Sequence, residues 1–252
     1  MSRTAIVTGA TAGIGKATAR ILAVNGYDVI ITGRREQLLR QVGAEISEKS
    51  GAQVLPLVFD VRDPAQVKKH LGMLEGKWSK IDVLVNNAGL ASGLNRIHEG
   101  ELEDWEKMID TNIKGLLYVT RSITPGMVKR GSGHIINIGS IAGKEVYENG
   151  NVYCATKHAV DALNKGMRID LVDYGIRVTA IHPGAAETEF SVVRFHGDRE
   201  KAGKVYEGFT PLYEDDIAEA VLFAVTRPPH VNINELVIMA TAQANSSKTV
   251  KK

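Results

Sequence analysis

The sequence predicts an α/β fold, a doubly wound parallel sheet of about seven strands with helices on both faces. Short β-branched runs alternate with longer helical patterns along the whole chain. The first such strand runs straight into a glycine-rich segment that opens a helix. The composition, 44% hydrophobic and 24% charged with seven prolines, is that of a globular domain rather than a disordered or fibrous chain.

The strand-forming runs are Thr4 to Thr8, Val29 to Thr32, Val54 to Phe59, Ile81 to Val85, His134 to Ile138, Arg177 to Ile181 and Leu236 to Met239. Local punctuation fixes several boundaries. Gly26 ends the first helix, and Asp63-Pro64 reads as an N-cap followed by a proline at the first helical position. Pro56 lies inside the third strand and lacks a ladder donor, which only an edge strand tolerates. The doubly wound order 3-2-1-4-5-6 puts that strand at the edge. Gly115 and Gly166 interrupt helices, and each allows a close approach, a bend or merely an incidental surface position.

No linker-like segment divides the 252 residues, so residues 1–252 read as a single domain. A substrate lid is expected around 185–210 and a flexible, solvated tail over 241–252, which carries Lys248, Lys251 and Lys252. The formal net charge is only +2, with scattered basic residues, so neither nucleic acid nor a membrane surface is an expected partner. The strand pattern begins by Ala5, leaving no room for a signal segment, and no apolar run is long enough to span a bilayer. The single cysteine, Cys154, fits a reducing compartment, and a cytoplasmic protein is expected. The seven histidines are never close neighbours in sequence, so no local zinc spacing exists and no metal is expected.

The glycines of Thr8-Gly9-Ala10-Thr11-Ala12-Gly13-Ile14-Gly15 follow the spacing G-x3-G-x-G between a strand and a helix. Gly9 permits a tight turn, Gly13 lets the backbone approach phosphate, and Gly15 lets the helix pack on the strand. The helix N-terminus attracts a pyrophosphate, with Thr11 and Ile14 in the same loop. The second strand ends in Gly33-Arg34-Arg35, without the carboxylate that would hydrogen-bond a ribose 2′-hydroxyl. Two guanidiniums stand there instead, matching a 2′-phosphate and hence NADP. Asp63 serves as a helix cap, so the carboxylate of Asp60 is expected to be free for an adenine amino group, with Val61 as an apolar floor. Asn87, Ala88 and Gly89 after the fourth strand let the backbone lie against a ribose, while the amides of Asn86 and Asn87 tie neighbouring strands together.

Among the seven tyrosines only Tyr153 has a lysine four residues on, which places Lys157 one turn away on the same helical face. Ser140 follows the strand His134 to Ile138, at the carboxyl edge where doubly wound sheets bind ligands. A carbonyl accepting hydride develops alkoxide charge, which needs a proton donor and a preplaced hydrogen bond. Tyrosine is too weak an acid unaided, so the Lys157 ammonium is expected to bring the Tyr153 pKa down toward working pH. Asn112, a weak helix former inside a helix, is expected to bend it and hold a water toward Lys157.

Taken in order, Thr8-Gly9-x3-Gly13-x-Gly15, Asp60, Asn86-Asn87-Ala88-Gly89, Asn112, Ser140, Tyr153-x3-Lys157 and Pro183-Gly184 resemble the short-chain dehydrogenase/reductase family over nearly the whole chain. The resemblance implies one Rossmann domain, a catalytic set of Asn112, Ser140, Tyr153 and Lys157, a Lys157 that also holds the nicotinamide ribose, and commonly a homotetramer. The helices from Trp105 and Tyr153 offer small and apolar residues to a partner subunit.

The segments Asp104 to Asn112, Gly133 to Ser140, Glu189 to Phe195 and His230 to Asn234 are similar to NADP-dependent 3-hydroxy acid dehydrogenases. That branch implies hydride transfer at the 3-hydroxyl or 3-oxo group of small acids such as serine, L-allo-threonine or 3-hydroxypropionate. The stretch Pro183-Gly184-Ala185-Ala186-Glu187-Thr188 is shorter and less glycine-rich than the branch usually has, with Thr188 in reach of a nicotinamide amide.

A substrate carboxylate calls for a cation from the segment after Pro183, with Arg194 first, Lys144 and His196 behind it, and Ser140 and Tyr153 on the reacting oxygen. Two alternatives stay open. One is an NADPH-dependent reductase of acyl-carrier, sugar or steroid carbonyls, and the other is a dinucleotide-sensing binding protein without catalysis.

Overall fold

Seven strands form one parallel sheet in the order β3-β2-β1-β4-β5-β6-β7 in a computed structural model that describes residues 2–252. The strands are β1 (Arg3–Val7), β2 (Tyr27–Gly33), β3 (Val54–Val58), β4 (Val83–Asn86), β5 (Gly133–Ile138), β6 (Ile176–Pro183) and β7 (Glu235–Ile238). Pro56 sits on the edge strand in register with Ile31. The flanking bonds, Val29 N to Gln53 O and Phe59 N to Gly33 O, show that odd-numbered residues of this edge face β2. By alternation the missing donor of Pro56 faces outward, where nothing needs it.

Helices α1 (Gly13–Val24), α2 (Glu36–Ser50) and α3 (Pro64–Gly72) alternate with the first strands. Then α4 (Leu102–Ile109) and α5 (Leu116–Arg130) are joined by a π-helical segment, Asp110–Gly115, and α6 (Asn151–Leu171) follows β5. Two short helices, α7 (Glu189–Arg194) and α8 (Arg199–Lys204), occupy the 185–210 segment, and α9 (Glu214–Val225) precedes β7. Asp63 caps α3 by accepting from Ala65 N and Gln66 N, with Pro64 in the first turn.

Side-chain alternation sorts the sheet into two cores. Ala5, Val7, Val29 and Ile31 pack with Leu22, Leu39, Ile217 and Val221 of α1, α2 and α9. Ile6, Ile30, Leu84, Ile135 and Val178 pack on the other face with Val67, Val119, Ile123 and Met127 of α3 and α5. Gly115 has a packing reason, because a Cβ there would lie 2.8 Å from Val61 Cγ2, whereas Gly166 faces open space. The strand ties are amides: Asn86 Nδ2 donates to Asn137 Oδ1 and Thr120 Oγ1, and Asn87 Nδ2 donates to the Thr8 and Gly9 carbonyls.

The expected flexible tail is instead bonded into the fold. Ala244 N donates to Lys248 O, Val250 N to Ala242 O, and Lys252 N to Gly208 O beyond α8. These are backbone bonds, which a polar tail sequence does not advertise. Among the described residues, no helix is long and apolar enough to cross a membrane.

Candidate active site

The carboxyl ends of β1 to β6 open onto a cleft of about 610 Å³, where doubly wound sheets bind ligands. One end is lined by Gly9, Thr11, Gly13, Ile14, Gly15, Arg34, Arg35, Asp60, Val61, Asn87, Ala88 and Gly89. The other is lined by Ser140, Tyr153, Lys157, Pro183, Gly184 and Arg194, while Thr188 lines the cleft against Gly13. Residues far apart in sequence thus share one crevice.

The glycine loop is built for close approach. Gly9 and Gly13 have φ of +66° and +52°, which L side chains rarely adopt. A Cβ on Gly15 would lie 2.4 Å from both Asn87 Nδ2 and Gly9 O, so this helix start presses on β1 and β4. The residue before α1, Ala12, offers no side-chain cap, and the first turn holds no acidic residue. The helix therefore presents unpaired N–H groups and its positive end to the cleft. With Arg34 and Arg35 at the end of β2, these residues fit a dinucleotide that carries a 2′-phosphate.

The partners of this end depart from one expectation. Asp60 is not free: it accepts from the Arg62 main chain and Nε through Oδ1, and from Arg62 Nη2 at 2.7 Å through Oδ2. Arg34 stands 3.6 Å from Oδ2. Arg62 lies two residues on, and the guanidinium folds back as a fork onto the carboxylate. Asp60 still lines the cleft; burial opposes its ionisation, but the bonds and charge of Arg62, with Arg34, hold its pKa below the ordinary value. Arg35 donates to Thr11 Oγ1 at 2.8 Å and to Glu189 Oε2 at 3.0 Å, joining the phosphate end to the first residue of α7.

At the other end, α6 carries Tyr153 and Lys157, both buried. Burial, reinforced by Tyr147, holds the Tyr153 phenol above its ordinary pKa, opposed by the Ser140 hydroxyl and the Arg194 guanidinium. Lys157 does not lower it here. Its Nζ is 6.0 Å from the Tyr153 ring centroid and donates to the Ile138 carbonyl at 3.0 Å. Burial alone brings Lys157 to about 8.

Asn112, expected to bend its helix, lies in the π-helical segment between α4 and α5, and its side chain is bonded to neighbouring segments of the chain. Oδ1 accepts from Leu90 N, and Nδ2 donates to Leu90 O and Thr156 Oγ1. It does not line the cleft but braces the Leu90 segment against α6.

Of the three candidate cations, only Arg194 reaches the cleft. Its Nη2 donates to the Tyr147 hydroxyl, and its guanidinium carbon lies 5.4 Å and 5.3 Å from the Tyr147 and Tyr153 ring centroids. Lys144 is bound by Asp161 and Glu235, and His196 pairs with Asp104 at 3.2 Å; neither lines the cleft. Their carboxylate partners come from distant parts of the chain, which local spacing does not reveal.

Thr188 caps α7 by accepting from Phe190 N, and its Cβ faces Gly13. The lining residues that the sequence reading did not single out include Tyr147, Tyr206 and Gln243. Tyr147 and Tyr206 have no motif spacing to mark them. Gln243, on the tail, accepts from Ala185 N at 2.8 Å and so fixes the short loop after Gly184.

Fold and site together define a Rossmann-type, dinucleotide-dependent oxidoreductase. The chain belongs to the short-chain dehydrogenase family, whose pattern it matches over residues 3–198. It is 50% identical over 246 residues to the NADP-dependent 3-hydroxy acid dehydrogenase YdfG of Salmonella typhi, covering 97% of this chain and 98% of that one. It is 42% identical over 251 residues to sulfoacetaldehyde reductase 2 of Chromohalobacter salexigens, with 99% of each chain covered. Among solved structures it is similar to the closed form of serine dehydrogenase complexed with NADP+, with a TM-score of 0.92, 46% identity and 99% coverage of both chains.

Proposed function

We propose that this enzyme transfers hydride between NADP(H) and the 3-hydroxyl or 3-oxo group of small acids such as serine, L-allo-threonine or 3-hydroxypropionate. One observation carries the reading: the cleft that has Arg34 and Arg35 at one end has Tyr153, Ser140 and a cation, Arg194, at the other. The names of the relatives support the cofactor and the substrate class.

When bound, the nicotinamide ring supplies the hydride acceptor or donor. Arg194 holds the substrate acid group, with the Tyr147 hydroxyl beside it. Ser140 Oγ donates a hydrogen bond to the reacting oxygen, and Tyr153 Oη takes its proton in oxidation and returns it in reduction. Lys157 holds the cofactor ribose and favours phenolate once its ammonium faces that side. The lid, α7 and α8, excludes water from this end.

A cytoplasmic homotetramer is part of the same proposal. A free, buried Cys154 and exposed Leu102, Leu117 and Ile169 on α4, α5 and α6 support it. Tyr153→Phe tests the chemistry: it should bind NADPH as wild type does while losing hydroxy-acid turnover. Retained turnover would remove Tyr153 from the role.

A further inference from the structure

Next to Ser140 lies a cluster of ionisable groups that the proposed chemistry does not use, and none of them lines the cleft. At its centre is His182 of β6, whose side chain is fully buried. Its Nδ1 is 3.2 Å from the main-chain oxygen of Ser140. A carbonyl only accepts, so Nδ1 carries the proton and donates.

On the other side of the ring, Nε2 is 3.5 Å from Asp161 Oδ1 and 3.8 Å from Glu235 Oε2, with no hydrogen-bond partner of its own. Asp161 belongs to α6, one turn beyond Lys157 and two beyond Tyr153. Lys144, four residues after Ser140, donates to Asp161 Oδ1 at 2.8 Å and to Glu235, while Lys165 donates to Asp161 Oδ2 at 2.7 Å. The contacts form a circuit, in which the link from His182 to Asp161 is a packing contact and not a hydrogen bond: Ser140 carbonyl, His182, Asp161, Lys144, and back along the chain to Ser140.

The circuit has little slack. A Cβ on Gly139 would lie 2.5 Å from His182 Nδ1, so the ring rests directly on the peptide before Ser140. The trio Asp161, His182 and Glu235 has the donor set of a metal site. The Lys144 ammonium, bonded to both carboxylates, already fills the cationic role.

We propose that His182 is a positioning residue: by holding the Ser140 carbonyl and abutting Asp161, it keeps the Ser140 hydroxyl in register with the helix that carries Tyr153 and Lys157. The inference rests on the reading of Ser140 as the donor to the reacting oxygen. Ser140 also helps to lower the Tyr153 pKa, so a loosened Ser140 should shift the acid limb of the kcat profile upward. The charged groups facing His182 are Lys144 after β5, Asp161 on α6 with Lys165 attached, and Glu235 on β7.

Four variants of the full chain test this: His182→Asn, which keeps an amide donor in the Nδ1 place, His182→Leu, which keeps bulk without a donor, Asp161→Asn, and the Asp161→Asn, His182→Leu double variant. The readouts are kcat, its pH profile, and NADPH binding by fluorescence. His182→Leu should lower kcat about tenfold and raise the acid limb, with NADPH affinity within about twofold of wild type. His182→Asn should recover most of that loss, and Asp161→Asn should cost less and add nothing in the His182→Leu background.

Equal impairment of the Leu and Asn variants, or melting temperatures that fall while the pH profile stays put, overturns the proposal. If His182→Leu does not fold, an Asp161→Asn enzyme with unchanged kcat and profile overturns it equally. Ser140→Ala separates the two readings. If it turns over normally, the role given to Ser140 fails; if it is impaired while the His182 variants are not, only this inference fails.

Discussion

The ammonium of Lys157 donates to the main-chain carbonyl of Ile138 at 3.0 Å, which ties helix α6 to the end of β5 two residues before Ser140. The contact satisfies one carbonyl yet leaves a cation buried without a carboxylate. Burial lowers Lys157 to about 8, against about 10.4 in an unfolded chain. Between those values the unfolded chain binds more protons, so stability rises with pH across this window and a penalty of roughly 3 kcal/mol stands below it. Lys157→Met should therefore melt a few degrees higher at pH 7 while losing turnover and NADPH affinity, measured by thermal melts and cofactor titration. A variant that melts lower would show that the Ile138 bond outweighs the desolvation.

Arg194 makes its hydrogen bond to Tyr147 and lies over Tyr153, so a substrate acid group held there would be placed beside the phenol. Arg194→Met should raise KM for serine about tenfold or more, with NADPH binding unchanged. Arg194→Lys should recover little, because a point charge does not reproduce the fork. Unchanged kcat/KM in Arg194→Met would remove Arg194 from substrate binding.

Arg35 reaches Glu189 at 3.0 Å, and both side chains are about half exposed, so the pair itself adds little to stability. Its guanidinium is free to exchange that partner for a phosphate. Arg35→Ala should weaken NADPH binding about tenfold and leave NADH binding unchanged, read by fluorescence titration. Equal losses for both cofactors would point to a general disturbance of the loop.

The fold was legible because its signals are local. Gly26, Asp63-Pro64 and the out-facing Pro56 each act within a few residues, and the two-residue side-chain alternation sorts the sheet faces. The glycine loop and Tyr153-x3-Lys157 were legible for the same reason. What stayed hidden depends mostly on contacts across the chain: Lys144 was claimed by Asp161 and Glu235, and Gln243 reached the loop after Gly184 from a tail whose composition reads as solvated. Asp60 is the local exception, held by Arg62 two residues on, because spacing alone does not say which way a long side chain folds.

Gly15 offers a packing test. A methyl group there would sit 2.4 Å from both Asn87 Nδ2 and Gly9 O, so Gly15→Ala must push α1 off the sheet. The cost should resemble overpacking elsewhere, about 1–3 kcal/mol, and NADPH binding should weaken with it. Gly26→Ala, at a positive φ with open space around it, should affect stability alone.

His134, buried on β5, has Nε2 against Thr179 Oγ1 and is lowered to about 3 by burial, with Arg177 adding to the effect. An unfolded histidine titrates near 6.5, so below that pH the unfolded chain binds the extra proton and stability is lost as pH falls toward 3. Between neutral pH and pH 5 this one group should remove roughly 2 kcal/mol. His134→Leu should flatten that part of the acid unfolding curve, whatever its stability at pH 7. An identical slope would mean that His134 accepts a proton in the folded state.

The central claim is tested most directly by steady-state oxidation of a panel of 3-hydroxy acids, simple alcohols and steroid or sugar substrates, each with NADP and with NAD. Turnover concentrated on small 3-hydroxy acids with NADP, and abolished in Tyr153→Phe, is the predicted result. Turnover of carbonyl or alcohol substrates lacking an acid group, in preference to the hydroxy acids, would contradict it.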